Sequence, residues 1–200
     1  MPDILSPDAP QPVVIGVVAD THVPDRQGQL NPRLLPALEK AGVSLILHAG
    51  DVSAARVLDE LAEVAPVKAV RGNRDWTIPG LPLALSLSIA GVSLGLTHGH
   101  GGWARYLIGK AQYVAQGYSL DFYWRPLRRL FPTEQVIVFG HTHHLVNQVI
   151  DGCLLFNPGA AYACHENDHR AHAGVLTIFP GGRVEATLID LDDSASQGQG

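Results

Sequence analysis

The sequence predicts an α/β protein in which two β-sheets pack face to face with helices outside. Two observations carry that expectation. Between residues 13 and 72 short apolar runs alternate with helical stripes, and beyond residue 83 the pattern changes to alternation by twos, broken at glycine turns. The first pattern is the signature of parallel strands joined by right-handed crossovers, the second of antiparallel hairpins.

The elements follow in order. VVIGVVA (13–19) is Val-rich and uninterrupted, as a strand buried on both faces should be. Asn31-Pro32 can cap and start a helix whose stripe is Leu34, Leu35, Leu38 and Ala41, with Gly42 as its stop. SLILHAG (44–50) is a second buried strand, and Ser53 can cap a helix with the stripe Val57, Leu58, Leu61 and Ala62. VKAVRG (67–72) is a third strand. LALSLSIAGVSLGLTHG (83–99) reads as a hairpin around Ala90-Gly91, WARYLIGKAQYVAQG (103–117) as a helix, and RPLRRLF (125–131) as a short second one. QVIVFG (135–140) returns to strand, and hairpins follow around Asp151-Gly152 and Pro180-Gly181-Gly182. Residues 1–12, with four prolines, read as a disordered lead, and 192–200 as a disordered tail. With no internal repeat or linker between them, 13–191 is expected to be one domain.

Composition narrows the function. The chain has 200 residues and a formal net charge of -5, which argues against stable nucleic-acid binding but leaves a small phosphate substrate open. Two cysteines outside any CxxC pair argue against a disulfide framework or a zinc knuckle. No signal peptide and no apolar run near the roughly 18 residues of a membrane span are found. A soluble, cytoplasmic protein without membrane attachment is expected.

Five strand exits carry carboxylate, imidazole or amide side chains. They are Asp20-Thr21-His22, Gly50-Asp51, Gly72-Asn73-Arg74-Asp75, Thr97-His98-Gly99-His100 and Gly140-His141-Thr142-His143. Each has an ordinary explanation as a cap or turn. Five in one topological position do not, because ligands of α/β sheets bind beyond the strands' carboxyl ends. Oxygen and nitrogen donors without thiolate suit Mn, Fe, Zn, Ni or Mg. The seven candidates Asp20, His22, Asp51, Asn73, His98, His141 and His143 exceed what one ion needs, which favours two ions sharing a carboxylate.

The order DTH, GD, GN, HGH, GHTH resembles the calcineurin-like metallophosphoesterases, and LHAGDV, VRGNRD and Asn157-Pro158-Gly159 resemble their compact phosphodiesterase branch. The resemblance covers about residues 13–190. It implies an α-β-β-α fold, a β-sandwich flanked by helices, and a site of two divalent metals, manganese first among them. It further implies that Asp20, His22 and His143 hold the first metal, Asp51 bridges, and Asn73, His98 and His141 hold the second. The implied activity is hydrolysis of small phosphodiesters or nucleotides by a metal-bridging hydroxide. Some members of the fold, such as a retromer subunit, have lost ligands and bind protein partners, so a non-catalytic metal-binding scaffold is the alternative. Other phosphate and metal folds fit less well. A haloacid-dehalogenase site wants an acid where His22 stands, and the HxHxDH of metallo-β-lactamases fails at Leu145.

Arg74 stands where many relatives place a His or Glu that protonates the leaving group, and arginine is a poor proton donor. Arg74 is expected to neutralise a phosphate oxygen, with good leaving groups preferred. His100 is open between a contact to bound phosphate, a hydrogen bond near the second metal and a structural role. His144 is expected in a solvated turn and His48 in the core. Residues 103–131 look like an insertion holding eight of the chain's thirteen aromatics, interspersed with Arg105, Lys110, Arg125, Arg128 and Arg129. Three readings stand open: helices packed on the sandwich, a lid over the site, or a contact forming a homo-oligomer.

Overall fold

The first half alternates as the apolar runs require: β1 (Val13–Val18), α1 (Leu34–Ala41), β2 (Leu45–His48), α2 (Ala55–Ala62) and β3 (Val67–Ala69). There follow β4 (Ala84–Ile89), β5 (Val92–Thr97), α3 (Gly102–Gln116), α4 (Leu120–Leu130), β6 (Val136–Val138), β7 (Leu145–Ile150), β8 (Cys153–Pro158), β9 (His172–Ile178) and β10 (Val184–Asp190). This computed structural model describes Ile4 and residues 11–192, with only the backbone for 103–106 and 110. Most of the expected lead and all but the first residue of the expected tail lie outside the described residues. Ile4 donates its backbone N–H to Ser88 O at 2.9 Å and packs on the core.

Two five-stranded sheets form, in the orders β10-β9-β1-β2-β3 and β4-β5-β6-β8-β7. β1, β2 and β3 run parallel, as do β5, β6 and β8, and the hairpins β4-β5, β7-β8 and β9-β10 supply the antiparallel edges. Alternate residues of each strand face opposite sides. Ile15, Val17, Leu45 and Leu47 therefore meet Leu94, Leu96, Val136 and Val138 between the sheets. Val18 and Ile46 face outward under Leu34 and Leu38 of α1 and Val57 and Leu61 of α2. Trp124, Leu127 and Phe131, within and just after α4, cover Ile137, Phe139 and Leu155 on the other outer face. The result is helix, sheet, sheet, helix.

Three local expectations are corrected. Ser53 does not cap α2; the N-cap is Ala54, and Ser53 sits at φ +71° with its N–H on Asp75. Asn31 holds a turn before α1 rather than its cap, accepting Arg33 N–H at 3.0 Å, and the helix begins at Leu34. The helix expected over 125–131 starts at Leu120, so Pro126 lies inside it instead of opening it. An interior proline costs about 3 kcal/mol. Burial of Trp124 and Leu127 against the sheet offsets that cost.

Candidate metal centre

The strand exits converge. Asp20 follows β1, Asp51 follows β2, Asn73 follows β3, His98 follows β5, and His141 and His143 follow β6. Five of the seven predicted ligands adopt left-handed backbone: Asp20 (φ 52°), His22 (51°), Asp51 (55°), His141 (70°) and His143 (59°). Each such residue costs roughly 1–3 kcal/mol, and strain of this kind gathers at functional sites. Flanking glycines permit it. A Cβ at Gly140 would sit 2.8 Å from Asp20 Oδ2, and one at Gly72 would run into Asp51.

The donor atoms of Asp20, His22 and His143 lie within 4.8 Å of one another, and so do those of Asp20, Asp51 and His98. The two groups share Asp20, and Asp51 lies between their imidazoles, its Oδ2 3.5 Å from His22 Nε2 and its Oδ1 3.5 Å from His98 Nε2. Asn73 Oδ1 is 3.1 Å from His98 Nε2. The His141 ring is 5.1 Å from the His98 ring, and its backbone N–H donates to Asp20 Oδ2 at 2.9 Å. All seven predicted ligand residues are thus gathered at one place.

Three imidazoles share one arrangement, with Nε2 turned inward and Nδ1 engaged behind. His22 Nδ1 is 3.3 Å from Asp25 Oδ2, His98 Nδ1 donates to Ala49 O at 2.8 Å, and His143 Nδ1 is 3.4 Å from Cys164 Sγ. Metal-binding histidines are oriented in this way by outer partners. For His98 the consequence is sharp. With Nδ1 committed as donor, Nε2 and Asn73 Oδ1 face each other as two acceptors unless a cation or proton lies there. Asp20 Oδ1 and His22 Nε2 are likewise buried with no hydrogen-bond partner. These orphaned atoms fit a divalent cation.

The electrostatics agree. Burial alone would lower the pKa of His98, but the Asp51 carboxylate outweighs it and raises the value to about 9. Asp20 does the same for His143, to about 10. Burial would raise Asp51, yet His98 and His22 hold it well below the usual carboxylate range. His141, buried beside His98, is pushed down to about 3. The carboxylates therefore draw positive charge to two points, and metal ions compete with protons for those nitrogens.

Several residues here were assigned no role from the sequence. Asp75, almost fully buried, accepts N–H groups from Asp51, Gly72 and Ser53 at 2.9, 2.7 and 2.7 Å. Asn157 donates to Gly140 O and Thr142 Oγ1 and so clamps the turn that carries His141 and His143. Cys164 and Glu166 stand behind His143, and Tyr162 lies edge-on to both His22 and His143 while accepting from Arg26 at 2.6 Å. The Asn-Pro-Gly sequence was a usable signal for Asn157. Asp75 stood in the quoted VRGNRD stretch, and the others are visible only as contacts.

A cavity of about 340 Å³ opens over the centre. It is lined by Asp51, Asn73, His141 and His143, and by Tyr113, Tyr118 and Tyr123 of the 103–131 segment together with Arg26 and Arg74. Arg74 lies 3.8 Å from Asp25 and donates its backbone N–H to Asp51 Oδ1. His144 is not in a solvated turn. Its ring is 4.1 Å from that of Tyr118 and its Nε2 is buried. His48 is a core residue, as expected, with no exposure. His100 has its ring 5.4 Å from that of His98, with Nδ1 buried and unpartnered. The side chains of Trp103, Arg105, Tyr106 and Lys110 lie outside the described residues.

Comparison with known proteins gives a consistent picture. The calcineurin-like phosphoesterase superfamily domain matches residues 13–181. A probable metallophosphoesterase of Methanocaldococcus jannaschii is 33% identical over 184 residues, 90% of this chain and 83% of the relative. Vacuolar protein sorting 29 from Cryptosporidium parvum superposes with a TM-score of 0.67 at 18% identity, over 90% of this chain and 98% of that one. An archaeal phosphodiesterase superposes with a TM-score of 0.59 at 19% identity, over 88% and 100%.

Proposed function

The chain belongs to the calcineurin-like phosphoesterase superfamily, and we propose that it is a phosphodiesterase working with two divalent ions. Family and ligand set make it a metal-dependent phosphoesterase; the diester preference and the ion pair are the finer reading. In that reading Asp20, His22 and His143 hold one ion, Asn73, His98 and His141 the other, and Asp51 bridges. Manganese is the first choice, with Fe, Zn, Ni or Mg as alternatives, because the donors are carboxylate, imidazole and amide. The observation that carries it is the inward Nε2 of three imidazoles, with His22 and His98 each 3.5 Å from one oxygen of Asp51 and His143 3.4 Å from Asp20 Oδ1. Bound there, the ions supply a deprotonated water as nucleophile and neutralise charge on phosphoryl oxygens.

The chain's own residues do the rest. Arg74 and Arg26 line the cavity and hold the phosphate by charge. Arg74 stays protonated, so it stabilises an anionic oxygen rather than giving a proton to the leaving group. His100 is pushed down to about 4, first by burial and then by His98, and is neutral at pH 7. It serves to position the phosphate rather than to act as acid. No proton donor to the leaving group follows from these roles, which favours substrates with good leaving groups. The tyrosines of α3, α4 and the turn between them serve as a lid on which a nucleotide base stacks, worth roughly 1–3 kcal/mol.

The second reading is a scaffold that binds metal and protein without turnover, favoured by the exposed Leu107, Ile108 and Val114 on α3. No helix among the described residues is long and apolar enough to cross a membrane. The test is a panel of phosphate mono- and diesters with each divalent metal. Diester hydrolysis that needs metal and disappears with chelator is expected. A folded, metal-loaded protein inert on every ester would overturn the enzyme reading.

A further inference from the structure

The geometry points to a second substrate cavity, meeting the first at Asn73, which receives the second organic arm of a diester. This rests on the phosphodiesterase reading above and extends it to a new subsite. The second cavity has a volume of about 420 Å³, within the range of about 300–1,000 Å³ usual for small-molecule sites. Its apolar wall is Trp76, Leu83, Ala84 and Leu130, and its polar groups include Arg71 and His100. Of all the lining residues, Asn73 alone is shared with the tyrosine-lined cavity.

Three features say what fits. Trp76, Leu83 and Leu130 are 67, 54 and 52% exposed, so three large apolar side chains ring one hollow with water over them. Soluble proteins keep such grouped apolar surface chiefly where something binds. Arg71 has no carboxylate within ion-pair distance among the described residues, and its charge acts on His100. An indole, an aliphatic floor and an unpaired cation suit a planar aromatic group with an electronegative or anionic edge, such as a nucleobase or aryl ester.

A monoester has one organic arm and fills one cavity. A diester has two, joined at phosphorus, and the two cavities join at Asn73, beside Asp51 and His98. Hydrolysis adds water across one P–O bond. The oxygen of one arm leaves with a proton drawn from water as an alcohol, and the other arm stays on the monoester product. One product then departs from each cavity.

The test compares two diesters with the same leaving group, bis-p-nitrophenyl phosphate and methyl p-nitrophenyl phosphate. The wild-type protein is expected to show a KM about tenfold lower for the two-aryl ester, in line with stacking of one ring. Trp76→Ala and Arg71→Gln, both at exposed positions, should each pull that KM ratio toward one. A wild-type ratio near one, or a ratio unchanged in both variants, overturns the second cavity while leaving the phosphodiesterase reading intact. Absence of hydrolysis of either ester with any divalent metal overturns both.

Discussion

Asp75 Oδ2 accepts the backbone N–H of Asp51 at 2.9 Å, so the loop after β3 dictates the conformation of the proposed bridging residue after β2. The same carboxylate takes Gly72 N–H and Ser53 N–H, and it is 1% exposed. Asp51 is held at φ 55° by these bonds. Removing the acceptor leaves three donors unpaired, each costing about 1–3 kcal/mol if it stays buried. Asp75→Ala should lower the melting temperature by several degrees and weaken metal binding, with Asp75→Asn in between. A melting curve and metal titration of Asp75→Ala that overlay the wild type would sink this account.

Asp51→Asn removes one anionic oxygen from between the two groups of ligands and weakens both ions at once. Turnover of a diester should fall at least about a hundredfold, since the charge stabilisation lost at such a site is several kcal/mol. Elemental analysis of the purified variant should count fewer than two ions per chain. Near-wild-type rates in a folded, metal-counted variant would rule out a shared carboxylate.

Arg74→His puts a titratable group where a cation that cannot donate its proton now stands. The rate on esters with poor leaving groups should rise relative to bis-p-nitrophenyl phosphate. A slower rate on poor leaving groups than the wild type would mean that the charge of Arg74 matters more than a missing acid.

Replacing only residues 102–116 with a Gly-Ser link tests the lid. Removing α4 as well would uncover Ile137, Phe139 and Leu155, so the shorter replacement is the fair one. KM for nucleotide diesters should rise by about tenfold or more. KM for bis-p-nitrophenyl phosphate should change less, and Tyr118→Ala should reproduce part of the effect. Equal losses on both substrates would assign α3 a structural role, and dimer-to-monomer conversion in light scattering would assign it an interface.

His48 gives a pH dependence with a definite sign. Its Nδ1 accepts Gly50 N–H at 3.2 Å, so Nε2 carries the proton toward Thr21 Oγ1, and burial pushes the pKa down to about 4. The unfolded chain titrates near the ordinary value of about 6.5 and binds more protons between the two. This group's contribution is therefore complete above about pH 6.5 and is lost as pH falls toward about 4. In chelator-treated protein the melting-temperature gap between wild type and His48→Asn should narrow from pH 7.5 to 5. A gap that stays constant would show that His48 is not the titrating group.

By itself, the sequence determined the two-sheet plan with outer helices and the seven residues that meet at the strand exits. Both are local in origin. Burial on one or two faces sets the spacing of Val, Ile and Leu along each strand, and a strand's end fixes where the next side chain points. Element boundaries were less legible, because Ser53 and Pro126 carry strong local preferences that tertiary contacts override: Asp75 claims the N–H of Ser53, and burial of Trp124 and Leu127 extends α4 through the proline. Only the tertiary structure decided that Asp75 supports Asp51, that Cys164 and Glu166 stand behind His143, and that Tyr118 and His144 wall the cavity over the site. These contacts join residues more than twenty positions apart. No period of 2 or 3.6 encodes such a meeting, and it arises when the two sheets pack and bring their strand ends to one edge.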